Sequence, residues 1–123
     1  MAHEYILADL LARNDGAVGT LFLDDTGETV DLACSEFGPY QMKVLGAYIG
    51  IYLRQLQEFL QSGGYGDPSW LHIEKEDLNI YAMPLPDGYF VVLVQRGPAV
   101  VARAKRSLAH ACEQLTRELF ISP

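Results

Sequence analysis

The sequence predicts a three-layer α+β domain: a five-stranded, mostly antiparallel sheet with one long helix on one face and two terminal helices on the other. Three observations carry this. Apolar residues recur at helical spacing near the start, in the middle and at the end of the chain. Between those segments lie five short runs of strand-like composition, most of them joined by turns short enough for hairpins. Two of the five, Ala17–Leu23 and Tyr89–Val94, lack a polar face, so the sheet requires cover on both sides.

Each element has its own local reason. Ile6, Leu7, Leu10 and Leu11 form a helical stripe that Asn14-Asp15-Gly16 stops; His3, just before it, is expected in a frayed terminus. Ala17–Leu23 reads as a strand covered on both faces. Asp24-Asp25-Thr26-Gly27-Glu28 then supplies turn chemistry. In the return strand Val30, Leu32 and Cys34 alternate with Thr29 and Asp31, the pattern of a half-exposed edge. Gly38-Pro39 opens a helix from Pro39 to Leu60, with proline where its missing N–H costs little. Ser62-Gly63-Gly64-Tyr65-Gly66-Asp67-Pro68 is a loop. Trp70–Lys75, Leu78–Met83 and Tyr89–Val94 follow as strands, separated by Glu76-Asp77 and Pro86-Asp87-Gly88, and the last is expected at the centre of the sheet. After Arg96-Gly97-Pro98 the final helix carries a one-sided stripe, Val101, Ala104, Leu108, Ala111, Leu115 and Leu119, which should pack on the sheet. The order is α-β-β-α-β-β-β-α, in a single domain over residues 1–123.

The middle helix is too apolar for one buried face. Leu45, Ile49, Leu53, Leu56 and Leu60 share one side, and Tyr40, Val44, Ala47, Tyr48 and Ile51 continue the surface around the helix. Only a strip with Lys43, Arg54 and Gln57, with Gly46 and Gly50 among them, looks made for water. A surface helix of a monomer carries an apolar stripe little more than ~100° wide. The surplus predicts that one face meets the parent domain and the other a second chain.

Composition and charge narrow the function classes. Of 123 residues, 50% are hydrophobic and the formal net charge is −7, which argues against nucleic acid as a partner. No apolar run approaches the ~18–20 residues of a membrane span, and the N-terminus has no basic segment of a signal peptide. Cys34 and Cys112 read as reduced thiols, which suits a cytoplasmic protein. Arg103, Lys105, Arg106 and Arg117 concentrate positive charge on the last helix, either as a solvated face or as a modest basic patch for a protein partner. The carboxylate pairs Asp24-Asp25 and Glu76-Asp77 fall in turns, and the histidines His3, His72 and His110 have no metal-ligand spacing. Ser35 and Cys34 beside Glu36 do not make a nucleophile with its base, because neighbouring strand residues point to opposite faces. The glycine-rich loop lacks the Lys-Ser/Thr ending of a phosphate loop. No enzyme, metal or cofactor is therefore expected. A small-molecule sensor is the second reading, with a cavity expected near Tyr81, Tyr89 and Cys112.

Two stretches carry a resemblance: Gly19-Thr20-Leu21-Phe22-Leu23-Asp24-Asp25-Thr26-Gly27, and Gly88-Tyr89-Phe90-Val91-Val92-Leu93-Val94 ahead of the last helix. With the order of elements from Tyr5 to Leu119, they resemble the roadblock/dynein light chain family. The resemblance implies a profilin/longin-like domain that forms homodimers, or heterodimers with a paralogous chain, and acts as a platform for or regulator of Ras-like small GTPases. Some such domains accompany a small GTPase, and others sit in dynein or lysosomal signalling complexes. It also implies an interface made by the long helix and the following strand, joining two sheets edge to edge. Carried onto this sequence, the interface residues are Tyr40, Val44, Ala47, Tyr48, Ile51, Trp70, His72 and Glu74, and Lys43, Arg54 and Gln57 form a candidate GTPase-facing surface. His72, on that strand, is a candidate for a pH-sensitive contact. The glycine-rich loop between helix and strand departs from compact members of the family.

Overall fold

A computed structural model describes residues 3–120. The elements are α1 (Glu4–Ala12), β1 (Ala17–Leu23), β2 (Thr29–Cys34), α2 (Pro39–Ser62), β3 (Leu71–Glu74), β4 (Leu78–Pro84), β5 (Phe90–Arg96) and α3 (Val101–Leu119), with a short 3-10 turn at Pro86–Gly88. The strands lie in the order β2-β1-β5-β4-β3, and every neighbouring pair is antiparallel. The central place of β5 follows from its sequence, since Val91, Val92, Leu93 and Val94 are all fully buried and alternate between two covered faces. β2 and β3 are the two edges.

The predicted layers are present. α1 packs over β1 and β2, α3 over β4 and β5, and the two helices touch each other on one face. Their core holds Ile6, Leu7, Leu10, Phe22, Tyr81, Val91, Leu93, Leu108 and Leu115. The other face is covered by α2, chiefly over β1 and β2, around Leu21, Leu23, Met42, Ile49, Leu53 and Val92. Thr20, the one polar residue inside β1, is fully buried and donates its hydroxyl to the Leu7 carbonyl at 3.0 Å, tying the strand to α1.

Four expectations need correction. Gly46 and Gly50 do not belong to a water-facing strip; both are buried in the contact between α2 and the sheet. A Cβ on Gly46 would stand 2.6 Å from Leu23 Cδ2 and one on Gly50 3.1 Å from the Phe90 ring, so the absent side chains set the closeness of approach. The buried stripe of α2 is thus Met42, Gly46, Ile49, Gly50 and Leu53, while Leu45, Leu56 and Leu60 are half-buried along its margin. In α3 the stripe is shorter than predicted: Val101 and Leu119 are exposed beyond the ends of the sheet, and Ser107 and Cys112 complete the buried side. His3 is not frayed. It occupies the N-cap position of α1 with Nδ1 3.3 Å from Glu118 Oε2, and Tyr5 donates to the same carboxylate, so the start of α1 is held to the end of α3. Boundaries moved modestly. α2 continues to Ser62, β3 excludes Trp70 and Lys75, and Tyr89 falls just before β5.

Candidate functional site

The outer side of α2 is as apolar as its sequence predicts. Tyr40 (79% exposed), Val44, Tyr48 and Ile51 (43%) stand in water, and Tyr52 and Phe59 extend the same surface toward the C-terminal end of the helix. Their spacing, close to multiples of four, keeps them on one side. From Tyr48 and Val44 the surface turns over half-buried Leu45 into an open groove of about 360 Å³, lined also by Phe37 and Leu78. Leu71 and Ile73 of β3 are half-buried on the same face of the sheet. β3 pairs only with β4, so its outer backbone groups have no strand to bond. Helix face, groove and strand edge together leave a large apolar area uncovered, of the kind that marks an interaction surface.

The structure unites some of the predicted interface residues and separates others. Tyr40, Val44, Tyr48 and Ile51 lie together, and exposed Ala47, one turn before Ile51, borders them beside the Gly27 turn. Trp70 and His72 project to the opposite face, into the layer of α1 and α3. There the Trp70, His72 and Tyr81 rings stack with centroids 4.5–5.8 Å apart. Lys105 Nζ stands 4.9 Å over the Trp70 ring, and His72 Nε2 is 2.8 Å from Asn79 Oδ1. Glu74 pairs with Asn79 in the ladder and so shares this second face. The residues of β3 that share a face with α2 are Leu71 and Ile73. The strand's alternation was visible in the sequence, but the phase that points toward α2 was not.

Lys43, Arg54 and Gln57 run along the margin of α2 above the β1–β2 turn. Arg54 Nη1 donates to the Asp25 carbonyl at 3.0 Å, which anchors the turn to the helix. Gln57 borders the narrow crevice beneath Arg54, with Asp25, Gly50 and Tyr89, while Lys43 borders a separate depression with Gly27, Glu28 and Thr29.

The groups that could have supported chemistry are engaged elsewhere. Asp24 Oδ1 accepts from the Thr26 amide and hydroxyl and from the Glu28 amide at 2.7–3.0 Å, the work of a turn residue. The Thr26 hydroxyl first, and the backbone amides with it, hold the Asp24 carboxyl below its ordinary range. Ser35 donates to the Ala17 carbonyl and Glu36 pairs with Arg96 at 2.9 Å. Burial pushes the Cys112 thiol up to about 12, and Cys34 is on the other side of the sheet, so the two cannot pair. Among the described residues no three His, Cys, Asp or Glu side chains gather as metal ligands, and no helix is long and apolar enough to cross a membrane. The place where a sensor's cavity was expected is filled. Tyr81 is fully buried, Cys112 nearly so, and the Tyr89 ring packs on Phe22 and Phe120 at 5.6 and 5.2 Å.

No protein-family model and no curated protein matches the sequence. Solved structures match the fold along its whole length. MglB of Myxococcus xanthus superposes with a TM-score of 0.87 at 11% identity, covering 99% of this chain and 98% of that one. A Roadblock/LC7 domain from Streptomyces avermitilis gives 0.85 at 13% identity, with 95% and 97% covered. An MglB with tetrameric arrangement gives 0.84 at 19% identity, with 94% and 86% covered. The fold of this chain is the Roadblock/LC7 fold, as the resemblance in its sequence implies.

Proposed function

We propose that this chain is a non-enzymatic dimeric scaffold that binds a Ras-like small GTPase, or a larger signalling or motor assembly, in the cytoplasm. The observation that carries the reading is the continuous apolar surface from the outer face of α2, across the Phe37–Leu78 groove, to the unpaired edge of β3. A stable interface buries about 1,600 Å² in total. An exposed strand edge adds backbone pairing when a second copy, or a paralogous chain, docks beside it. Joining two β3 edges would extend the sheet and bring the two α2 helices, with Tyr48 and Ile51, toward the same seam. That an MglB structure has a tetrameric arrangement supports assembly as a use of this fold. The GTPase partner follows from the family resemblance, with the Lys43, Arg54 and Gln57 margin as the surface to test.

Light scattering on the purified chain at micromolar concentration tests the dimer, and a monomer there overturns it. Capture from lysate with GDP and with a non-hydrolysable GTP analogue tests the partner. Enrichment of a Ras-like GTPase with the analogue supports the reading, and recovery of the chain itself or a paralogue alone leaves the scaffold without the GTPase.

A further inference from the structure

On the face opposite α2, the end of α1 and the first half of α3 border an open cleft of about 480 Å³ lined by Arg13, Arg103, Arg106, Ser107 and His110. Arg103, Arg106 and His110 follow one another at i, i+3 and i+7, so one side of α3 aims them at the same space. Arg13 reaches in from the other wall. Its Nε is held by Asp9 at 2.7 Å, which fixes the guanidinium while leaving its terminal nitrogens free to donate. The floor is polar: Ser107 is buried and accepts from Asn14 Nδ2 at 2.9 Å.

Charge is poorly balanced here. Among the described residues neither Arg103 nor Arg106 has a carboxylate partner, and Glu113, further along α3, faces Arg117 at 4.0 Å. Like charges at i and i+3 repel, so the pair is unfavourable without an anion between them. The rest of the molecule makes this stand out, since the chain carries a net charge of −7. On a chain of net negative charge, unpaired arginines beside one cleft favour an anion there.

We infer that this cleft binds a small phosphate-bearing anion, held by the guanidinium groups of Arg13, Arg103 and Arg106. A single carboxylate is matched by one guanidinium fork, whereas the two unpaired guanidiniums of Arg103 and Arg106, with the terminal nitrogens of Asp9-paired Arg13 on the same cleft, suit the several acceptor oxygens of a phosphate or diphosphate. The volume falls within the ~300–1,000 Å³ of ordinary ligand pockets, enough for a phosphorylated small molecule or a lipid headgroup. The site lies away from the α2 surface and does not depend on dimerisation.

Calorimetric titration of the intact chain with inorganic pyrophosphate tests it. The expected result is saturable binding, weakened at least ~tenfold in the Arg103→Gln/Arg106→Gln double variant. Lys75→Gln, exposed and outside the cleft, should bind like the parent. Both arginines are exposed, and circular dichroism verifies that the double variant is folded. Flotation with phosphatidylcholine vesicles, with and without phosphatidylinositol 4-phosphate, distinguishes the source of the phosphate. Flotation that needs both the lipid phosphate and the two arginines assigns a headgroup, and pyrophosphate binding without flotation assigns a soluble ligand. Binding to neither probe, or equal binding by the double variant, overturns the site.

Discussion

α2 and α3 cover opposite faces of one sheet and bury similar stripes, yet their outer sides differ. α3 turns Arg103, Lys105, Arg106, His110, Glu113 and Arg117 to solvent, whereas α2 turns out Tyr40, Val44, Tyr48, Ile51, Tyr52 and Phe59. The inner stripe alone suffices to hold a helix on the sheet, because burial of apolar area is the dominant favourable term and each helix has it. The outer side is then free to serve contact. Charge on α3 favours water and small anions, and aromatic area on α2 favours a second protein surface. A helix with apolar residues all round can be seated either way, and Gly46 and Gly50 allow close approach only on the side that meets Leu23 and Phe90.

The largest expected effects test the equivalence of the inner stripes. Leu53→Asp and Leu108→Asp each place an unpaired charge in a packed core and should cost about 4 kcal/mol or more, abolishing the cooperative thermal transition. A folded variant of either would show that one helix is dispensable. Gly46→Val comes next, at about 1–3 kcal/mol by denaturant unfolding, because the new side chain drives α2 off Leu23. If it costs nothing, the close approach is not a constraint.

Ile51→Asp against Ala109→Asp sharpens the outer-face contrast. The first should weaken dimerisation by about 2 kcal/mol or more while leaving the fold intact, and the second should leave self-association unchanged, both read by sedimentation. The smallest effect concerns the turn under Arg54. Asp24→Ala should lose about 1 kcal/mol. The folded carboxyl titrates below its ordinary value, so its contribution is present above the ordinary carboxyl pKa and disappears as pH falls through the lowered folded one. The variant's stability should therefore decline less on acidification than the parent's.

Much of this architecture was legible in local pattern. Element order, the antiparallel hairpins, the central β5 and the edge character of β2 all follow from spacing of two or 3.6, from turn residues and from strands without a polar side. The surplus apolar surface of α2 was equally legible, since counting needs no partner. The rotation of α2 was not. Glycine has no side chain to score, so Gly46 and Gly50 looked like gaps in a polar strip when they are points of close contact with the sheet. The phase of β3 was not legible either. Trp70, His72 and Glu74 alternate with Leu71 and Ile73, and both sets could have been the inner one until Tyr81 and Asn79 across the ladder fixed the choice.

The sequence by itself determined the class of fold, the number and order of its elements, and that α2 has more apolar surface than one contact can use. These depend on short-range spacing and on composition. Tertiary structure decided which residues of β3 share a face with α2, that Arg54 is engaged by the Asp25 carbonyl, and that Arg13 and the Arg103–Arg106 pair line one cleft. Those results join residues 29 to 93 positions apart, and no local periodicity encodes them; they arise when packing of two helices on a shared sheet brings remote side chains to one place.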